Sequence, residues 1–229
     1  MELIQAPISS RTINLEFYSA GEGERPAVIF LHDLIGIVPA TRQTAKALAA
    51  IGVHVLLPDL FTGGKGAQYC VRTLFTAAIR NNEDTDNPHL EEIQEIINFV
   101  KTLPGINGHK LGIVGQCLTG GFVLHAAIRN DIKAPVVFHH SFGQRGSGIP
   151  SHCAVLVEQQ IQGHFVNIDP FCPKGRVQKL KKQLGAKLED HWYDLPHGVP
   201  HFFFNTDQGR QAFERMLNFI RLNLLEEVG

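Results

Sequence analysis

The sequence has few features of a secreted, membrane-bound or nucleic-acid-binding protein. Its formal net charge is only -1 at pH 7, so no excess of one sign would attract nucleic acid or an anionic membrane surface. Residues 1–12 contain neither a basic leader nor a continuous apolar stretch, so they predict no signal peptide or spanning helix. We therefore expect a cytoplasmic protein whose partner is a small molecule, with no nucleic-acid or membrane partner.

Cysteines are scarce and irregularly spaced. The four are Cys70, Cys117, Cys153 and Cys172, and no two of them form a Cys-x-x-Cys pair. A chain of 229 residues with 44% hydrophobic residues can bury a core without disulfide bonds. We interpret all four cysteines as free thiols, and we expect no metal and no cofactor.

The chain also lacks repeats, low-complexity tracts and long linkers, which predicts a single domain over residues 1–229. Short apolar runs alternate with longer helical periods, so we predict an α/β fold with a mainly parallel sheet and helices on both faces. Residues 27–32 are a continuous apolar run typical of a strand that is covered on both faces, and residues 111–115 are predicted as a later strand. Residues 12–17 are predicted as an edge strand, and a long helix is predicted to begin at Pro88.

One segment carries most of the chemical information. Residues 111–121 predict a strand, a sharp turn and a helix, with Cys117 at the apex of the turn. This is the context of a nucleophile elbow, which needs small residues where strand and helix nearly touch, and Gly115, Gly120 and Gly121 provide them. The amino terminus of the helix would favour the thiolate over the thiol. We predict that Cys117 is a nucleophile.

This segment is open to two other interpretations. Cys117 could be a small buried residue without a chemical role, which is common for cysteine. Gly115 and Gly120 also have the outer spacing of a dinucleotide-binding Gly-x-Gly-x-x-Gly motif. However, the side chain of Cys117 would obstruct a pyrophosphate, and the next strand ends in His139 and His140 instead of an acid.

In proteins with a nucleophile elbow, the acid and the base follow the nucleophile in chain order. Asp169 comes directly after an apolar strand predicted at 164–168, although an aspartate before Pro170 is also typical of a turn or a helix cap. The loop before the last helix contains His197 and His201. We favour His201 as the base because the aromatic residues after it can hold its ring against the core.

Several motifs, in the same order along the chain, resemble those of the dienelactone hydrolase family. Residues 115–118 resemble its Gly-x-Cys-Leu elbow, residues 169–173 its Asp-Pro-hydrophobic-x-Pro segment, and residues 201–205 its His-x-Phe segment. The loop at 31–36 and the Pro-Asp-Leu turn at 58–60 are similar to the family's corresponding segments.

The resemblance implies an α/β-hydrolase fold with a triad of Cys117, His201 and Asp169. It also implies an oxyanion hole formed by the backbone N–H groups of Leu34 and Leu118. The expected reaction is acyl transfer to sulfur followed by attack of water, on a small ester, lactone or thioester. The expected assembly is a monomer or a homodimer.

The sequence departs from the family pattern at three places. The glutamate that interacts with the nucleophile corresponds to Asp33, and the glycine two residues after the nucleophile corresponds to Thr119, so the turn has to accommodate a β-branched side chain. An arginine that holds the substrate carboxylate corresponds to Asn205, which predicts a preference for neutral or weakly polar esters unless Arg72 or Arg80 replaces it. These departures keep open a hydrolase-fold protein that binds a ligand without turnover, or a redox-responsive thiol protein.

Overall fold

The computed structural model describes residues 1–61, 88–141, 146–196 and 205–226. The strands in these ranges are β1 Glu2–Pro7, β2 Thr12–Tyr18, β3 Arg25–Leu31, β4 His54–Pro58, β5 Ile106–Gln116, β6 Ile132–Phe138, β7 Ile161–Ile168 and β8 Leu188–Pro196. The helices are α1 Pro39–Ala50, α2 Pro88–Val100, α3 Leu118–Ala126, α4 Ser151–Ala154, α5 Lys174–Leu184 and α6 Asp207–Leu224. None of the described helices has the length and apolarity needed to cross a bilayer.

The eight strands form one sheet in the order β1-β2-β4-β3-β5-β6-β7-β8. Strand β2 is antiparallel to both β1 and β4, and all the other neighbouring pairs are parallel. Parallel neighbours bring the carboxyl ends of β3, β5, β6 and β7 to one edge of the sheet. The predicted α/β fold with a mainly parallel sheet is confirmed.

The core consists of two apolar layers, one on each face of the sheet. Along β3, Ala27, Ile29 and Leu31 belong to one layer, whereas Val28 and Phe30 belong to the other, as the two-residue period of a strand requires. The first layer packs against α2 to α5, and the second packs against α1 and α6. Strands covered on both faces explain the continuous apolar runs in the sequence.

The prediction of an edge strand at 12–17 is wrong in one respect. These residues form β2, but β1 pairs along the outer side of β2 and is itself the edge. Four of the six residues of β1 are exposed, so its sequence lacks the apolar alternation that identifies a half-buried strand. The prediction that a helix begins at Pro88 is confirmed.

Helix α2 is attached to the turn between β1 and β2 by a carboxylate. Glu92 accepts hydrogen bonds from Ser10 Oγ at 2.7 Å, Arg11 Nη2 at 3.1 Å and His89 Nδ1 at 3.0 Å. Burial raises the pKa of Glu92, but these hydrogen bonds and the charge of Arg11 outweigh burial and lower it from 4.5 to about 2. Because the folded-state pKa is depressed, this carboxylate stabilises the fold above pH 4.5 and its contribution is lost as the pH falls towards 2.

We therefore predict that Glu92→Gln lowers the free energy of unfolding by about 1–2 kcal/mol at pH 7, because the charged acceptor of three hydrogen bonds is removed. The difference from the wild type should shrink at pH 3, where the wild-type carboxylate has lost part of its contribution. Urea unfolding at both pH values measures this. Glu91→Gln, the same change at the exposed neighbour, is the control, and an equal loss from it would contradict the prediction.

Candidate active site

Cys117 occupies a strained turn between strand β5 and helix α3. Its backbone angles are φ 57° and ψ -114°, a region that residues other than glycine rarely adopt. Two backbone hydrogen bonds hold the turn: Cys117 N–H donates to Phe138 O at 2.9 Å, and Ser141 N–H donates to Cys117 O at 3.1 Å. Such strain persists only where the surroundings enforce it, and here strand β6 and the residues after it do so.

The glycines around the turn are required by close packing. An added Cβ atom at Gly115 would lie 2.5 Å from Thr119 O, and one at Gly120 would collide with the carbonyl oxygen of His139. Strand β5, helix α3 and the end of β6 can therefore approach one another only because both positions lack a side chain. This geometry explains the glycine spacing in the sequence.

Thr119 is accommodated without disturbing the turn. Its side chain is fully buried, and its Oγ1 accepts a hydrogen bond from Gln116 N–H at 2.8 Å. The same hydroxyl lies 3.2 Å from Leu31 O and 3.0 Å from Gln116 O, and it can donate to one of them. The β-branched residue therefore ties the elbow to the end of β3.

The sulfur of Cys117 is buried beside a hydroxyl group. Ser141 Oγ lies 3.4 Å from Cys117 Sγ, and both residues are nearly inaccessible to solvent. Asp33, at the family's glutamate position, is also buried, and its Oδ1 accepts a hydrogen bond from Ile35 N–H at 2.8 Å. A contact between Asp33 and the sulfur stays a prediction.

The two residues expected to supply the oxyanion hole lie on adjacent strand ends. Leu118 is the first residue of α3, and the first N–H groups of a helix have no partner within the helix. Leu34 lies in the turn after β3, where Gly36 N–H donates to Asp33 O at 3.1 Å. Strands β3 and β5 pair in register up to Leu31 and Gly115. The role of Leu34 and Leu118 as oxyanion donors stays a prediction.

A buried histidine fixes the loop that carries Leu34. Leu60 N–H donates to His32 Nε2 at 3.1 Å, and His32 Nδ1 lies 2.7 Å from Asp33 O. The first bond requires an unprotonated Nε2, so we assign the proton to Nδ1. Burial lowers the pKa of His32, although the carbonyl of Asp33 opposes this effect. His32 is therefore a neutral structural link between two loops at this edge.

Asp169 follows β7 and is almost completely buried. Its Oδ1 accepts hydrogen bonds from Phe171 N–H and Cys172 N–H, both at 2.8 Å, as a turn aspartate does. Its Oδ2 lies 3.3 Å from His139 Nδ1. One carboxylate oxygen thus organises the turn, while the other is directed to an imidazole, so the two interpretations of Asp169 are compatible.

His139 is a residue of this edge that the sequence motifs do not indicate. It adopts φ 55°, and its backbone N–H donates to His164 O at 3.0 Å. The feature of the sequence that could have identified His139 is its position directly after β6. Cys117 and Asp169 directly follow the parallel strands β5 and β7, so all three residues lie at the same edge of the sheet. The same signal could have identified Ser141.

A buried cation lies near the acid. Arg176 is only 3% exposed, and its three guanidinium nitrogens have no hydrogen-bond acceptor in the described part of the structure. Burial lowers the pKa of Arg176 to about 10, while electrostatic interactions with Cys172 and Asp169 oppose this effect. A nearby cation favours the ionised form of a carboxylate such as Asp169.

The remaining site predictions fall mostly outside the described residues. His197, His201, Arg72, Arg80 and Cys70 lie in ranges that the structure does not describe. Asn205 is exposed and lines a cavity of about 250 Å³ with residues of α1 and α6. Its contact with a substrate stays a prediction. Among the described residues, no group of three or more histidine, cysteine, aspartate or glutamate side chains is arranged to hold a metal.

The strand order, the antiparallel β2 and the cysteine elbow define an α/β-hydrolase. The chain belongs to the dienelactone hydrolase family, whose model matches residues 15–222, and it is an ester or lactone hydrolase. Carboxymethylenebutenolidase 1 of Cupriavidus pinatubonensis is 23% identical over 180 residues, covering 75% of this chain and 74% of the relative. Carboxymethylenebutenolidase of Rhodococcus opacus is 23% identical over 183 residues, covering 77% and 70%.

A solved structure confirms the fold. A dienelactone hydrolase-like promiscuous phosphotriesterase from metagenomic libraries superposes with a TM-score of 0.78 at 14% identity, and the match covers 97% of this chain and 98% of that chain. At this level of identity the likeness concerns the fold alone.

We predict that Gly120→Ala lowers the free energy of unfolding by about 3 kcal/mol, because the added methyl group overlaps the His139 carbonyl oxygen. Gly175→Ala is the matched control, since an added Cβ there meets no atom within 4 Å and alanine is the better helix former. Chemical unfolding measures both variants. Equal stability of Gly120→Ala and the wild type would contradict the packing described for this turn.

Proposed function

We propose that this chain hydrolyses a small ester, lactone or thioester through a covalent intermediate on Cys117. The observation that carries the proposal is the strained backbone of Cys117 between β5 and α3. A strained residue at a strand-to-helix turn is the geometry that holds the nucleophile in this fold. The helix amino terminus beside it favours the negative charge that sulfur carries as a nucleophile.

In the first half of the reaction, Cys117 Sγ attacks the carbonyl carbon and its proton passes to His201. The carbonyl oxygen becomes an oxyanion, which accepts hydrogen bonds from the N–H groups of Leu34 and Leu118. When the oxyanion collapses, the bond to the leaving group breaks and His201 returns the proton to the leaving oxygen or sulfur. The acyl group then remains on Cys117 as a thioester.

In the second half, water attacks the thioester carbon and gives a proton to His201. The same two N–H groups stabilise the second oxyanion. The carbon–sulfur bond then breaks, the acid product leaves, and Cys117 regains its proton from His201. The overall reaction consumes one water molecule and needs no redox partner.

Asp169 acts as the orienting acid in this scheme. A buried carboxylate at hydrogen-bond distance holds one ring orientation and one tautomer of the base, and it stabilises the imidazolium. Two backbone N–H groups hold Asp169 Oδ1, which leaves Oδ2 for imidazole groups such as His139. The buried charge of Arg176 supports the ionised state that this role requires.

For the substrate, we propose a neutral or weakly polar small ester or lactone. The relatives are named carboxymethylenebutenolidases, which supports a lactone carbonyl as the reacting group. Asn205 can donate hydrogen bonds but cannot form a charged bidentate pair with a carboxylate. Losing one such contact costs roughly 1.5–3 kcal/mol, or about one to two orders of magnitude in kcat/KM for carboxylated substrates.

The proposal is tested by measuring kcat and kcat/KM of the wild type and of single variants. The substrates are neutral and carboxylated esters, lactones and thioesters. Cys117→Ala should lower kcat by at least about 10³-fold, because no covalent intermediate can form. His201→Ala should lower kcat by about 10²–10⁴-fold, because the proton acceptor is lost. Each measurement uses the pure variant, with its folding checked by thermal unfolding.

Two matched variants serve as controls. Cys153→Ala removes a thiol whose pKa is raised by burial, and His197→Ala removes the other histidine of the same loop. Both should keep turnover near the wild-type rate. Retained activity in Cys117→Ala would sink the proposal, and a larger loss from His197→Ala than from His201→Ala would reverse the assignment of the base.

A further inference from the structure

Ser141 is a polar residue beside Cys117 that belongs neither to the proposed triad nor to the proposed oxyanion hole. It lies three residues beyond the end of β6 and is 1% exposed. Its hydroxyl oxygen is 3.4 Å from Cys117 Sγ, within the longer hydrogen-bond range of sulfur. In the described part of the chain, this hydroxyl is the hydrogen-bond partner of the reacting sulfur.

The position of the hydroxyl is fixed by the backbone as well as by the side chain. Ser141 N–H donates to Cys117 O at 3.1 Å, while Cys117 N–H donates to Phe138 O at 2.9 Å. The end of β6 and the residues after it therefore bind both the N–H group and the carbonyl group of Cys117. Ser141 Oγ is held beside Sγ by the same contacts that maintain the strained turn.

A hydroxyl group beside sulfur favours the charged form. It can accept a weak hydrogen bond from a thiol, but its donor bond to a thiolate is charge-assisted and roughly twice as strong as a neutral one. In general, such a hydroxyl group stabilises a thiolate more than a thiol. It also favours the side-chain rotamer in which Sγ points to the hydroxyl.

Other titratable groups at this edge are engaged elsewhere or interact from a distance. Asp33, after β3, accepts from Ile35 N–H, and His139, after β6, lies against Asp169, after β7. Cys172 interacts electrostatically with Cys117, but burial raises the pKa of Cys172 to about 12, so it is a neutral thiol at pH 7. None of these contacts supplies a hydrogen-bond donor to the sulfur.

We propose that Ser141 activates the nucleophile by donating its hydroxyl hydrogen bond to the Cys117 thiolate. The inference rests on the proposed role of Cys117, but its test needs no substrate. Iodoacetamide reports the thiolate directly, because Sγ displaces iodide and forms a carbon–sulfur bond. A failure of this inference is therefore distinguishable from a failure of the hydrolase proposal, which is tested by turnover.

The experiment measures the pH dependence of Cys117 alkylation by peptide mass spectrometry. Ser141→Ala should move the midpoint upwards by about one pH unit, which is about a tenfold loss of alkylation rate at pH values below both midpoints. Where hydrolysis can be followed, the acidic limb of kcat/KM should move by the same amount. A merely structural role would lower the melting temperature without moving either midpoint.

Ser147→Ala is the matched control, because Ser147 is equally buried but donates to Ile149 O at 2.7 Å. It should keep the wild-type midpoint, and so should Ser141→Thr, which retains the hydroxyl. Ser141→Gly removes the same hydroxyl and replaces the alanine variant if that variant does not fold. An unchanged or lowered midpoint on loss of the Ser141 hydroxyl would overturn the inference, as would an equal rise in Ser147→Ala or Ser141→Thr.

Discussion

The site depends on one backbone constraint, the left-handed conformation of Cys117 between β5 and α3. A residue with a side chain stays in this conformation only if its surroundings enforce it. Here the enforcement comes from close approaches that permit no side chain at Gly115 or Gly120, and from backbone hydrogen bonds to the end of β6. Thr119 adds a buried hydroxyl that ties the turn to β3. Stability and reactivity are therefore coupled at this turn.

The last residue of β6 and the residues after it contact both the proposed nucleophile and the proposed acid. Phe138 and Ser141 hold the nucleophile through the backbone, while His139 between them reaches Asp169. His139 has a left-handed backbone of its own, so a strained residue directly follows both β5 and β6. Behind them, Arg176 adds a buried positive charge near the acid. A parallel sheet makes this possible, because it brings the ends of β5, β6 and β7 to one edge.

The sequence was most informative where a short-range constraint dominates. Gly115 and Gly120 beside Cys117, the apolar run of β3 and the proline at the start of α2 each predict local structure, and each of these predictions is confirmed. The edge position of β1 was not predictable, because a mostly exposed strand has no apolar alternation. Ser141 and His139 were missed because their roles arise from contacts between strands that are distant in sequence. Periodicity does not encode such contacts, whereas the sheet order does.

The central claim is that Cys117 forms a covalent acyl intermediate, and its direct detection is the most decisive measurement. An ester substrate of the enzyme is mixed with the protein, the reaction is quenched in acid within one turnover, and the peptide containing Cys117 is analysed by mass spectrometry. The account predicts the mass of the acyl group on Cys117. Burst release of one equivalent of alcohol with no acyl group on Cys117, or with the acyl group on another residue, would contradict it.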